Sequence, residues 1–204
     1  MAKLYFRYGA MNSGKSTALM QVAHNYEEQG MRVLILKPQV DTKGGGELVS
    51  RLGVRRKADL LVPPEMDVFA AVQQAAAAAP LACVLCDESQ FFTPEQVDGM
   101  RRIADEFDRP VLCFGLRTDF RTHLFPGSRR LFEIADSITE IKTVCECGMK
   151  ATVNARMDEN GRILTEGEQV LLGGNDSYVA MCYKCWSRAI ARQRADESKK
   201  INLI

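Results

Sequence analysis

The sequence predicts an α/β fold in which a parallel sheet is flanked by helices and followed by a small, β-rich, metal-binding C-terminal domain. Three observations carry that expectation. Apolar runs of strand length alternate with helical stretches through residue 143, the pattern of a parallel sheet with crossover helices. A glycine-rich turn joins the first strand to the first helix. Two cysteine pairs, Cys145 with Cys147 and Cys182 with Cys185, fall after the alternation stops.

Leu4 to Tyr8 is an aromatic-rich strand, and Gly9-Ala10-Met11-Asn12-Ser13-Gly14-Lys15-Ser16 matches G-x-x-x-x-G-K-[ST], with Thr17 opening a run of good helix formers. Strand, loop and helix in that order make a phosphate-binding loop: main-chain N–H groups and the positive helix end face a polyphosphate, Lys15 reaches its outer phosphates and Ser16 is offered to Mg²⁺. The helix runs to Gln29 and stops at Gly30, suited to the left-handed position past a helix end. Arg32 to Leu36 is a second buried strand, completing a β-α-β unit. Pro38 to about Arg56, with Gly44-Gly45-Gly46, reads as one long mobile loop at the ligand-binding end of the sheet. Asp67 to Ala79 is a strong helix ended by Pro80.

Ala82 to Cys86 is an apolar strand that delivers Asp87-Glu88 at its C-terminal end. Paired with an upstream phosphate loop, this places one carboxylate, Asp87, near Mg²⁺ and leaves its neighbour Glu88 free to act as a base. Cys83 and Cys86 match C-x-x-C, but residues three apart on a strand face opposite ways, so both are expected in the core. Thr93-Pro94-Glu95-Gln96 is a capping box with proline at the first helical position, starting a helix to about Phe107. Val111 to Gly115 is another strand. The following loop, Leu116 to Gly127, mixes Arg117, Asp119, Arg121 and His123 with Phe120 and Phe125. It reads either as a ligand loop with exposed aromatics or as a connector anchored in the core by its two phenylalanines. A helix over about 128–135 and a strand over about 137–143 follow.

With 27 basic against 26 acidic residues the formal charge is +1, which excludes bulk electrostatic attraction to nucleic acid or an anionic membrane. No secretory leader and no apolar run of ~18 to 20 residues is present, so a cytoplasmic location is expected. Seven cysteines in such a setting point to metal rather than disulfides. Cys145, Cys147, Cys182 and Cys185, separated by segments around an Asn160-Gly161 turn, can form a closed tetrahedral thiolate site for structural zinc, or stand as four ordinary reduced cysteines. Between the pairs, residues 166–178 form a second loop with paired glycines and Tyr178 at its end. The last helix is expected over about 186–195.

The chain resembles the thymidine kinases of the zinc-containing, cytosolic type (class II), over nearly its whole length. The carrying segments are Gly9 to Thr17, Asp87-Glu88-Ser89-Gln90-Phe91, Gly115-Leu116-Arg117-Thr118-Asp119-Phe120, the cysteine pairs, and Gly167-Glu168 with Gly173-Gly174 and Tyr178. The resemblance implies a RecA-like P-loop fold and transfer of the γ-phosphoryl group of ATP to the 5′-hydroxyl of thymidine or deoxyuridine, a step of pyrimidine deoxynucleoside salvage for DNA synthesis. It further implies Mg²⁺ and structural Zn²⁺ as cofactors, a homotetramer, and feedback inhibition by dTTP. It gives Glu88 the role of catalytic base. It assembles Met11, Phe91, Leu116, Phe120, Phe125 and Tyr178 around the base, whose edge is read by the main chain of about Gln169, Val170 and Leu171. The Asp-Thr-Arg-like element of the family's first loop is here Asp41-Thr42-Lys43, and Lys43 or Arg51 could supply its charge.

The expected organisation is a nucleotide-binding domain over 1–143, a zinc-binding domain with a lasso-like substrate loop over 144–191, and a disordered tail over 192–204. The competing reading is a P-loop ATPase whose zinc ribbon acts on nucleic acid.

Overall fold

The period-two alternation of each strand separates the core into two halves, one on each face of a single sheet. The computed structural model describes residues 1–39, 46–50, 52–169 and 177–201. The sheet has six strands, β1 (Leu4–Tyr8), β2 (Val33–Pro38), β5 (Leu60–Val62), β6 (Cys83–Cys86), β7 (Val111–Gly115) and β8 (Ser137–Glu140), in the order β5-β2-β6-β7-β1-β8. Every pairing in it is parallel. Helix α1 (Lys15–Glu28) covers one face, where Leu19 and Ala23 meet Val33, Ile35, Cys83, Leu85, Leu112 and Phe114. Helices α2 (Val68–Ala78), α3 (Pro94–Glu106) and α4 (Pro126–Ile134) cover the other, where Val72, Met100, Ile103 and Leu131 meet Leu4, Phe6, Leu36, Val84, Cys86, Val111 and Cys113. Each fully buried aliphatic or aromatic side chain contributes about 1.5–3 kcal/mol, so the two layers supply most of the driving force.

Cys83 and Cys86 therefore point to opposite halves of the core, both with no exposed surface. Burial pushes the Cys83 thiol up to about 12.

Local codes set the helix ends. Gly30 sits at φ 70°, just past α1. Asp67 accepts from the Ala70 amide at 3.1 Å and caps α2. The Thr93/Gln96 capping box is complete, and the Gln96 amide also donates to the carbonyls of Pro63 and Pro64, tying that loop to α3.

Three elements differ from the sequence expectation. The loop expected from Pro38 to Arg56 contains an antiparallel ribbon, β3 (Glu47–Val49) with β4 (Arg55–Lys57), because Leu48 plugs into the α1 half of the core and Arg56 makes a two-pronged ion pair with Glu27 of α1. Strand β5 is added to the sheet edge, its approach fixed by Asp59, which accepts from the Ile35 amide at 2.7 Å. The tail expected from residue 192 is helical: α5 spans Tyr183–Ile201. Its sequence has few helix breakers, and the Gln193 amide bonds the Ile163 main chain as both donor and acceptor, anchoring the third turn.

Beyond the large sheet, β9 (Val153–Arg156) pairs antiparallel with β10 (Tyr178–Met181), and α5 packs on them through Trp186, Ala189 and Ile190. The turn at Asn160-Gly161 closes a hairpin held by a Met157–Ile163 bridge, with Gly161 at φ 73°. Among the described residues no helix is long and apolar enough to cross a membrane.

Candidate active site

The phosphate loop leaves β1 at the C-terminal end of the sheet and enters α1. Gly9 is pressed against its surroundings: a Cβ there would lie 2.4 Å from the Ile141 carbonyl oxygen and from Ser13 Oγ. Asn12 and Gly14 take left-handed backbone angles, φ 65° and 83°, which wind the loop into a concave nest of amides before the helix begins. Thr17 follows Ser16 in the first turn of α1. Lys15 is buried and folds back on the loop, its Nζ 2.9 Å from the Ala10 carbonyl and 3.4 Å from that of Gly9. Burial lowers its pKa, while the negative charges of Glu88 and Asp87 oppose that shift.

Asp87 leaves the end of β6 buried, with Ser16 Oγ 3.2 Å and 3.4 Å from its two carboxylate oxygens. Desolvation, then the neighbouring Glu88 charge, pushes its pKa up to about 7. A buried carboxylate beside a helix-terminal hydroxyl and a phosphate nest is a hard-oxygen donor set, and it fits Mg²⁺. Glu88 adopts φ 46°, ψ 41°, which ends the strand direction of β6 and opens a short 3₁₀ turn over Ser89–Phe91, and its side chain is half-buried. Gln90 Nε2 donates to the Glu88 carboxylate at 2.6 Å.

The six side chains expected around the nucleobase fall into three pairs. Phe91 and Phe125 meet edge to face, with centroids 5.5 Å apart. Phe120 and Tyr178 both lie against the Arg156 guanidinium, at 3.9 Å and 5.1 Å from their ring centroids. Met11 and Leu116 are half-buried: the Met11 amide is held by Asn154 Oδ1 at 2.7 Å, and the Leu116 amide by Gln90 Oε1 at 2.9 Å. Phe120 and Phe125 are buried, so the loop after β7 does not expose its aromatics. Its phenylalanines anchor it in the core, as the connector reading expects, and Asn154 ties its Thr118 carbonyl to the Met11 amide of the phosphate loop. Gln169 Nε2 donates to Asp119 at 3.1 Å. Asp41, Thr42, Lys43, Arg51, Val170, Leu171, Gly173 and Gly174 lie outside the described residues.

The Sγ atoms of Cys145, Cys147, Cys182 and Cys185 all lie within 4.8 Å of one another, with Cys147 and Cys182 3.6 Å apart. Tetrahedral zinc with Zn–S bonds of about 2.3 Å needs sulfurs about 3.8 Å apart. The first pair is gathered despite its short spacing because Gly148, at φ 81°, folds a tight turn closed by its amide on the Cys145 carbonyl. Backbone amides of Cys182 and Cys147 draw the Cys145 thiol down to about 7, whereas hydrogen bonding among the thiols pushes Cys185 up to about 12. Four sulfurs gathered this closely make the donor set of a structural zinc site, and the set can hold one zinc ion.

Sequence reasoning missed four residues here. Gln90 stands in a segment that carries the family resemblance, yet its role as partner of Glu88 was not read, and Asn154 was hidden because a strand amide carries no motif of its own. Lys37, at the end of β2, is buried, donates to the Glu47 carbonyl at 2.8 Å and opposes the charge effect of Glu88 on Asp87; a lysine inside the apolar run Val33–Pro38 was its only signal. Arg156, 4% exposed, donates to Tyr178 Oη and to the carbonyls of Glu168 and Gln169; a lone strand arginine reads as surface.

The family model described as thymidine kinase matches residues 2–186. Among curated relatives, a thymidine kinase of Ruegeria pomeroyi is 48% identical over 93% of this chain and 96% of its own length. One of Legionella pneumophila is 47% identical over 99% and 97%, and one of Yersinia pseudotuberculosis 47% identical over 93% and 97%.

Proposed function

The chain belongs to the thymidine kinase family, and from that premise we propose how its own residues carry ATP-dependent phosphorylation of thymidine and, with it, deoxyuridine. The convergence of Lys15, Ser16, Asp87 and Glu88 at one end of the sheet carries the reading, with Ser16 Oγ 3.2 Å from Asp87 as its tightest element.

Residues 1–143 hold ATP and residues 144–191 supply the loop that covers the nucleoside. The amides of Gly9 to Thr17 and the N-terminus of α1 cradle the triphosphate, and Lys15 Nζ exchanges the Ala10 and Gly9 carbonyls for phosphate oxygens. Ser16 and Asp87 would hold Mg²⁺, which when bound neutralises charge on the β- and γ-phosphates. Glu88 takes the proton of the 5′-hydroxyl as that oxygen bonds to the γ-phosphorus and the bond to the ADP oxygen breaks. Phosphoryl transfer depends mainly on positioning and charge stabilisation, so these four side chains suffice for the chemistry. Met11, Phe91, Leu116, Phe120, Phe125 and Tyr178 enclose the base, and the main chain of Gln169 to Leu171 reads its edge, which accepts thymine and uracil and rejects cytosine and purines. Cys145, Cys147, Cys182 and Cys185 would hold zinc, which would tie down the ends of that loop. A cytoplasmic homotetramer inhibited by dTTP completes the reading, on the family resemblance.

A coupled ATP-consumption assay with a panel of deoxynucleosides tests it. Turnover with thymidine and deoxyuridine alone is expected. Absence of thymidine turnover above the ATP-only rate, or ATP hydrolysis stimulated by DNA, overturns it in favour of a nucleic-acid ATPase.

A further inference from the structure

Strand β9 presents two buried polar side chains, Asn154 and Arg156, two residues apart and so on one face of the strand. Asn154 accepts from the Met11 amide of the phosphate loop at 2.7 Å and donates to the Thr118 carbonyl at 3.1 Å. Arg156 works on the other loop. Its Nε donates to Tyr178 Oη at 2.7 Å, a second guanidinium nitrogen donates to the same oxygen, and its remaining donors reach the Glu168 carbonyl at 2.9 Å and the Gln169 carbonyl at 3.3 Å. The guanidinium carbon lies over the Phe120 ring, 3.9 Å from its centroid. No ion pair to Arg156 is found among the described residues, so a cation almost wholly removed from water is committed to neutral acceptors. Such an arrangement is costly to build and unnecessary for a surface strand.

We infer that Arg156 is a positioning residue for the nucleoside: its fork fixes the Tyr178 phenol and the main chain at Glu168 and Gln169, and through Asn154 the same strand holds that loop in register with Met11. The inference rests on the assignment of Tyr178 and the loop from Gln169 to the nucleoside pocket. A planar fork is what the geometry demands. It satisfies three acceptors at fixed angles while its central carbon lies over an aromatic ring, and lysine, a point donor on a flexible stem, can do neither together. Preorganising the loop removes an ordering cost from nucleoside binding and leaves the phosphate loop untouched.

Steady-state kinetics of Arg156→Lys and Arg156→Met test this, with thermal melting and zinc content measured alongside. The expected result is a 10- to 100-fold rise in the KM for thymidine, a KM for ATP within twofold of the parent, and a loss of discrimination against deoxycytidine. Tyr178→Phe removes only the oxygen that takes two of the fork's donors, and it is expected to show the same split in milder form, which keeps the test open should the arginine variants not fold. A folded, zinc-loaded Arg156→Lys with an unchanged thymidine KM, an equal rise in both KM values, or an unchanged Tyr178→Phe overturns the inference. Failure of the parent protein to phosphorylate thymidine would instead overturn the function itself, so the two failures are distinct.

Discussion

Gln90 holds Glu88: its amide nitrogen lies 2.6 Å from the Glu88 carboxylate, while its amide oxygen accepts from Leu116 at 2.9 Å. One buried side chain thereby links the end of β6 to the loop after β7. Glu88 itself sits in the left-handed region, at a cost of about 1–2 kcal/mol for a residue with a Cβ. The contact gives the carboxylate a charge-assisted partner in this orientation, which favours that backbone.

Glu88→Gln keeps the shape of the side chain and removes its basicity. The variant is expected to bind a non-hydrolysable ATP analogue as the parent does and to lose at least about 100-fold in kcat, the usual contribution of a positioned base. Unchanged kcat would remove Glu88 from that role.

Gly127 opens the first turn of α4 against the 3₁₀ turn. A Cβ there would lie 2.5 Å from the Phe92 carbonyl oxygen and 2.7 Å from that of Ser89, both main-chain atoms that cannot swing aside. Gly127→Ala is expected to lower stability by about 1–3 kcal/mol and to reduce kcat through displacement of Glu88. Urea unfolding with normal activity and midpoint would contradict the packing described.

Metal removal should be visible in thiol reactivity. Cys83, Cys86 and Cys113 are buried in the core, and zinc would shield the other four. An aromatic disulfide reagent is expected to find almost no fast thiol in the native protein, four after chelation, and all seven in denaturant. Four fast thiols before chelation would argue against a bound ion.

Asp136 accepts from the Leu4 amide at 2.8 Å and pairs with Arg101. Burial pushes its pKa up, but the Leu4 amide and the Arg101 charge outweigh burial and hold it below the ordinary value. A depressed pKa means the stabilisation is present above the unfolded value, near 3.9, and is lost as pH falls through the lower folded one. With 33% of the side chain in water, Asp136→Asn is expected to cost about 1 kcal/mol at pH 7, the difference shrinking towards nothing as pH falls through the lowered folded value. A difference independent of pH would exclude the ionic origin.

The sequence by itself determined the elements whose codes are local. The phosphate loop from Gly9 to Ser16, the capping box at Thr93, the alternation that sends Cys83 and Cys86 to opposite faces, and the cysteine pairs all follow from spacing along a few residues, because backbone geometry repeats at fixed periods. Tertiary structure alone decided the rest. Strands β3, β4 and β5 are three residues each, too short to show a period, and exist because Leu48 and Val62 find a core to enter. Helix α5 outruns the tail expected at residue 192 because Gln193 finds the Ile163 main chain. Arg156 and Asn154 look like ordinary strand polars until the partners arrive, Met11 from 143 positions away and Tyr178 from 22. A buried polar group takes its meaning from what satisfies it, and those partners are chosen by the fold rather than by neighbours in the chain.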